Sequence, residues 1–200
     1  MNRMQKFTKK HRRNRDSEFQ SYTYIKNELK NLGWNTNNPN RDRNGQLYTQ
    51  QECLLNSEIK PKLGRLSPEY IIKIDEGTFW VIEAKPTIEE MGQAYKEAAG
   101  YAILINNHKL IKAMIVSGVA GNDIDRYVVK SGFWNKKYKK FDIITCHNKE
   151  ISSLLSPEFA KTLLKQNSAI LKDFEIDNEK LLKTAEEINR VLHNGSVRKD

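Results

Sequence analysis

The sequence predicts an α/β fold, a mixed sheet flanked by helices and followed by a C-terminal helical appendage. Three observations carry this expectation: a capped amphipathic helix reads across residues 17–32, a β-hairpin across 69–85, and a helix at 88–103 leads into a buried strand at 112–119. With 200 residues, 38% hydrophobic and 30% charged, the chain has material for one good core plus accessories. No stretch approaches a membrane span of about eighteen apolar residues, and the N-terminus is basic and polar with no apolar signal segment. Neither membrane insertion nor secretion is expected, and the expected compartment is the cytoplasm. Cys53 and Cys146 are far apart, follow no metal or redox spacing, and read as ordinary packing residues in a reducing environment.

Residues 1–16 read as a basic, flexible arm. Arg3, Lys6, Lys9, Lys10, Arg12, Arg13 and Arg15 all precede the first acidic residue, Asp16, and so carry seven of the nine net positive charges. Such an arm suits nucleic-acid phosphates, with Arg12 and Arg13 as contact candidates, and equally suits a solubilising tail. Phosphate contacts add affinity without choosing a site. Ser17 to Gln20 then forms a capping box, opening a helix that stops at Gly33 and buries a stripe of Tyr22, Ile25, Leu29 and Leu32. Glu18 sits at the N-terminal end of that stripe, where a carboxylate complements the helix dipole by about 0.3–1 kcal/mol. Residues 35–44 carry Asn-Pro and Asn-Gly turn signals and read as a surface loop exposing Arg41 and Arg43.

Residues 69–74 and 78–85 are rich in β-branched and aromatic side chains, and Asp75-Glu76-Gly77 between them has the length and closing glycine of a three-residue hairpin loop. That loop sets Ile74 opposite Thr78 and, counting outward, Glu69 opposite Glu83. Opposed like charges destabilise a ladder unless something positive lies between them. Strand alternation puts Glu83 and Lys85 on one face, so two carboxylates and an ammonium converge. Hard oxygen ligands suit Mg²⁺, with Mn²⁺ as a substitute, and either ion takes only one or two protein carboxylates. A metal so held polarises a phosphoryl oxygen and activates water, while a lysine orients that water or stabilises developing charge. The plain alternative is an exposed strand end whose Glu and Lys pair across solvent, worth about 0.2–1 kcal/mol. In the metal reading, Glu18 is a third carboxylate aimed at the same ion.

On the following helix Gln93, Glu97 and Tyr101 recur every four residues beside a face of alanines. That polar line fits either approach to the active strands or a solvated face. Residues 112–119 read as a buried strand and 126–130 as another, with Gly121-Asn122-Asp123 as the turn between them. Residues 133–141 interleave aromatics with Lys136, Lys137, Lys139 and Lys140, suiting either nucleic acid or a lysine-protected strand edge. Pro157 opens a helix reaching about residue 173, and a last helix spans 177–193. His11, His108, His147 and His193 are scattered, so no zinc spacing is visible, and there is no phosphate-binding glycine motif or internal repeat.

Glu69…Glu83-x-Lys85 between these helices resembles the PD-(D/E)xK restriction-endonuclease-like fold. Ser67-Pro68-Glu69-Tyr70-Ile71, Val81-Ile82-Glu83-Ala84-Lys85, Glu97-Ala98-Ala99-Gly100-Tyr101-Ala102 and Ile105-Asn106 are similar to the N-terminal nuclease domain of type I restriction-enzyme R subunits and of type IIG restriction-modification enzymes. Leu32-Gly33-Trp34 matches a phrase at the start of such domains, and the resemblance covers about residues 17–145. It implies a restriction-endonuclease-like αβββαβ core, a nuclease domain over residues 17–148 and a helical connector over 149–200. It assigns Glu69 and Glu83 as metal ligands, Lys85 as the catalytic lysine, Glu18 as the N-terminal helix glutamate, and Glu97 and Tyr101 to a Gln-x-x-x-Tyr motif. Glu replaces the family's Asp at 69 and its Gln at 97. The expected activity is Mg²⁺-dependent cleavage of double-stranded DNA to 5′-phosphate and 3′-hydroxyl ends, RNA or branched DNA being alternative polymers. Residues 183–192 resemble the connector to a methyltransferase domain, so methyltransferase and target-recognition domains or subunits are expected partners, with a transient dimer on DNA for double-strand breaks. A catalytically silent DNA-binding or assembly module is the competing expectation.

Overall fold

A computed structural model describes residues 20–107, 111–146 and 148–170. The basic arm with Arg12 and Arg13, Glu18 and the expected helix at 177–193 lie outside the described residues. The first described helix, α1, covers residues 20–31. Its end is a Schellman motif: Gly33, at φ 97°, donates to Lys30 O at 3.1 Å and Trp34 N donates to Leu29 O at 3.0 Å. Ile25 and Leu29 of the expected stripe are fully buried. Tyr22 and Leu32 are half-buried.

The sheet has six strands in sequential order: β1 (Leu47–Thr49), β2 (Tyr70–Asp75), β3 (Thr78–Lys85), β4 (Lys112–Asn122), β5 (Arg126–Asn135) and β6 (Lys140–Ile143). All neighbours are antiparallel except β3 and β4, which run parallel because helix α4 (Met91–Asn106) carries the chain back between them. The result is a mixed sheet flanked by helices. A one-turn 3₁₀ segment (Ile88–Glu90) precedes α4, which runs three residues beyond the expected end. Two four-residue helices, α2 (Gln50–Cys53) and α3 (Lys60–Leu63), link β1 to β2. A separate two-stranded ribbon pairs β7 (Thr145–Cys146) with β8 (Lys149–Glu150). Helix α5 (Pro157–Ile170) starts with proline at its first position and with Ser156 Oγ accepting from Phe159 N at 3.2 Å. The chain divides into two contact units, one ending at Lys161 and the other starting at Thr162.

Strand alternation sorts the core. Ile71, Phe79, Val81 and Val116 face Ala98, Ala102 and Ile105 of α4, together with Cys53, Ile59 and Leu63. The opposite face carries Trp80, which meets Trp34 at 5.9 Å between ring centroids and donates to Ser117 Oγ at 3.0 Å. Ser117 and Ser131 hydroxyls share a 2.6 Å hydrogen bond there, so the buried polar atoms satisfy one another. Helix α1 crosses this face: Tyr22 meets Tyr70, Tyr24 stacks on Tyr127 at 3.9 Å, and Ser21 Oγ donates to Gly121 O at 3.1 Å.

Three expectations need correction. The turn between β4 and β5 is Asp123-Ile124-Asp125, because pairing continues through Gly121–Tyr127 and Asn122–Arg126. Asn122 Oδ1 accepts from the backbone N–H groups of Ile124 and Asp125, and this side-chain turn replaces the expected glycine turn. Strand β5 runs on to Asn135, past the expected end at 130. Of the cysteines, Cys53 is a buried packing residue whose thiol is pushed up to about 12 by burial, whereas Cys146 is exposed.

Candidate active site

Parallel β3 and β4 finish at the same end of the sheet, and antiparallel β2 begins there. The ladder fixes what meets at that end. The expected three-residue loop with Ile74 opposite Thr78 needs correction: Asp75 pairs with Thr78, leaving Glu76-Gly77 as the turn with Gly77 at φ 67°. A register shift between Lys73 and Asp75 then sets Lys73 opposite Phe79 and Tyr70 opposite Ile82. One residue further out, Glu69 stands opposite Glu83, the opposition counted from the sequence. Glu69 N donates to Glu83 Oε2 at 3.4 Å.

Glu69 is 9% exposed and Glu83 4%. Burial and then the Glu69 charge push the Glu83 carboxyl up to about 8, with Glu97 adding to the rise and Lys85 opposing it. Lys85 Nζ lies 3.4 Å from Glu83 Oε1 and 2.6 Å from Glu97 Oε2. Burial works against the Lys85 charge, but these two carboxylates outweigh it and hold its pKa above the ordinary lysine value. Burial likewise opposes the Glu97 charge, yet hydrogen bonds from Lys85 and from Gln93 Nε2, the latter at 2.8 Å, keep its carboxyl below the ordinary range. The phenol of Tyr101 is raised by burial and by the charges of Glu83 and Glu97. The polar line of α4 therefore turns toward the strands.

The device that brings it there was not among the expected site residues. Gly118 of β4 is the Cα partner of Glu83, and a Cβ on it would stand 2.5 Å from Tyr95 N and 2.8 Å from Tyr95 Cα. Glycine lets the α4 backbone approach β4 at the level of Glu83, which carries Gln93 and Glu97 to Lys85. Gly132 performs a related service on β5, where the Tyr95 hydroxyl occupies the place of a Cβ and donates to Phe141 O at 3.4 Å. A glycine inside a strand pattern signals such approach, and Ser117-Gly118-Val119 carries that signal.

No protein-family model, curated protein or solved structure matches this chain.

The arrangement sorts the expected residues into two groups. Glu69, Glu83, Lys85, Glu97, Gln93 and Tyr101 meet at one end of the sheet. Lys136, Lys137, Lys139 and Lys140 do not join them. Lys130 is level with Gly118 and hence with Glu83, and the β5–β6 loop lies six residues further along, roughly 20 Å at about 3.3 Å per residue. Lys137 and Lys140 flank the Tyr138 ring at 5.2 and 5.6 Å. Arg41 and Arg43 sit on the 35–44 loop, where the Arg41 charge acts on the Glu52 carboxyl of α2 and not on the Glu83 group. Asp42 organises that loop, accepting from Asn35, Asn37 and Asn44, and those hydrogen bonds lower its pKa.

Among the described residues no group of three or more His, Cys, Asp and Glu side chains is gathered for a metal. Glu69 and Glu83 form a pair, and a pair is what Mg²⁺ commonly takes from protein, completing its shell with water and phosphate. The donor chemistry fits: two opposed, nearly dry carboxylates repel each other, and a divalent cation between them converts that repulsion into ligation.

Proposed function

We propose that the protein is a Mg²⁺-dependent phosphodiester hydrolase acting on DNA, a nuclease of the PD-(D/E)xK kind. The observation that carries this reading is the opposition of Glu69 and Glu83 with the Lys85 ammonium within 3.4 Å of Glu83. Glu69 and Glu83 would hold Mg²⁺, or Mn²⁺ as a substitute, which would supply Lewis acidity toward the phosphodiester and toward bound water. Lys85 places a fixed positive charge beside the reacting phosphorus, where charge builds as the bond order changes. Glu97 and Gln93 hold that ammonium in place, and Tyr101 closes the α4 side. The succession of α1, β1, β2, β3, α4 and β4, with only β3 and β4 parallel, supports a restriction-endonuclease-like αβββαβ core.

The resemblance over residues 17–145 supports membership of a restriction system, with methyltransferase and target-recognition domains or subunits as partners and a transient dimer for double-strand cuts. One contact favours a second reading, the silent DNA-binding module. The 2.6 Å pair with Glu97, at a position where the family has glutamine, engages the Lys85 ammonium before any substrate arrives. Incubating supercoiled plasmid with the full chain across Mg²⁺ and Mn²⁺ concentrations separates the two. Nicked or linear product that disappears in Lys85→Ala supports the nuclease. Salt-sensitive binding without any metal-dependent product supports the silent module, and undiminished cleavage by Lys85→Ala overturns the role given to the lysine.

A further inference from the structure

Beside Glu69 lies a cleft of about 390 Å³ that the hydrolytic chemistry does not use. Helix α1 supplies one wall through Tyr22, Lys26 and Asn27, and the start of α2 supplies another through Gln50 and Gln51. The volume is near the small end of ligand pockets, about 300–1,000 Å³, and too small for duplex DNA. Lys26, Asn27, Gln50 and Gln51 are all exposed, so their polar heads are available to a ligand. Each amide presents a donor and an acceptor together, the pairing that matches a base edge bidentately. Tyr22 is half-buried and braced edge-on by Tyr70 at 6.4 Å, and Tyr70 Oη donates to the Tyr22 carbonyl at 3.2 Å. That bracing gives the cleft an aromatic wall of fixed position. Glu69 of the metal pair also lines the cleft, at the end of the sheet where β2 begins, so the cleft adjoins the site.

We infer that this cleft seats one unpaired nucleotide adjoining the scissile phosphate, with Asn27, Gln50 and Gln51 contacting the base edge and Lys26 the backbone. The inference rests on the nuclease reading for the position of the phosphate, but the cleft's own chemistry selects the nucleotide. It gives the protein a base preference at one position, independent of any partner, and favours strands that are nicked, frayed or single, where unstacking is cheapest.

The test is equilibrium binding of the full chain, without divalent metal, to fluorescent single strands of about ten nucleotides composed of one base each. The expected result is a spread of about 5-fold or more in affinity among the bases, as one bidentate base contact provides. The variant Asn27→Ala/Gln50→Ala/Gln51→Ala should compress that spread, whereas Lys26→Ala should weaken all strands alike. Equal affinities in the wild type, or an undiminished spread in the triple variant, would overturn the inference. Because binding is read without cleavage, a base preference that survives alongside a plasmid left intact sinks the hydrolytic reading alone. Cleavage without any preference sinks this inference alone.

Discussion

At the end of the sheet where β3 finishes, Glu83 is 4% exposed and shares its surroundings with Glu69, Lys85 and Glu97; at the opposite end, Lys136, Lys137, Lys139 and Lys140 stand in solvent around Tyr138. The first group holds few charges at fixed distances in a poorly solvated place. The second holds many charges that water and salt screen. Coulomb energy scales inversely with effective dielectric constant, so one ammonium beside Glu83 has more influence on chemistry than four at the loop tip. Position, not charge count, separates a reacting centre from a general attraction for polyanions.

The sharpest way to break this contrast is to remove charge from each end in turn. Lys85→Ala should lower cleavage by about 100- to 1,000-fold, the usual loss for one preorganised electrostatic partner, as read by initial rates on plasmid. Next in size is Gly118→Ala, which drives a methyl into the Tyr95 backbone. It should destabilise the fold by about 1–3 kcal/mol and weaken cleavage as α4 lifts from Lys85. Gly100→Ala is the control: nothing lies within 4 Å of a Cβ there, and helix propensity should raise stability by about 0.5–1 kcal/mol. Thermal melts of both variants check the pair.

A smaller effect is expected from pH. Glu83 in the folded, metal-free protein keeps its proton up to about 8, against an ordinary value of 4.5, so between those values the folded state binds one proton more than the unfolded. Stability from this group is full below the ordinary value and is lost as pH rises toward about 8. The lowered carboxyl of Glu97 acts in the opposite sense, losing its contribution as pH falls below the ordinary glutamate range. Melting temperatures of the metal-free protein should therefore fall between about pH 5 and pH 8 from the Glu83 contribution, less so in Glu83→Gln. Mg²⁺ should restore stability at the alkaline end. The smallest change is expected from replacing Lys136, Lys137, Lys139 and Lys140 with glutamine. Cleavage at saturating DNA should hold, while each lost phosphate contact lowers the slope of log affinity against log salt by about 0.9.

The hairpin, the pairing from Lys73 outward and the Glu-x-Lys end were legible in the sequence because strand alternation determines which residues share a face. The turn, by contrast, is one residue shorter than expected, and the register shift between Lys73 and Asp75 absorbs the difference. Gly33 and Pro157 were legible for an equally local reason, since each fixes a helix end through its own backbone. Strand β1 was not. Leu47-Tyr48-Thr49 is too short to show a period, and its pairing with Ile72, Ile71 and Tyr70 is a tertiary fact. The turn at 123–125 was hidden because Asn122 replaces a glycine with a side-chain turn, and Arg126 takes φ 67° where sequence rules look for glycine. At the site, the type of each group was readable, but the meeting of Glu97 with Lys85 depends on how closely α4 approaches β4. Gly118 controls that distance from a strand that comes later in the chain.

The register shift between Lys73 and Asp75 has a consequence for how this region can vary. Which face Glu69 occupies depends on whether an odd or even number of residues separates it from the hairpin turn. With the shift kept, deleting one residue from 70–73 reverses that parity and sends the carboxylate to the Trp80 side of the sheet, whereas giving up the shift absorbs the deletion and returns Glu69 to Glu83. Removing a second restores the face, although Glu69 would then stand opposite a different partner. Single-codon deletions across this strand should therefore extinguish cleavage only where the shift is kept, a discrete signal that gradual loss of stability would not produce.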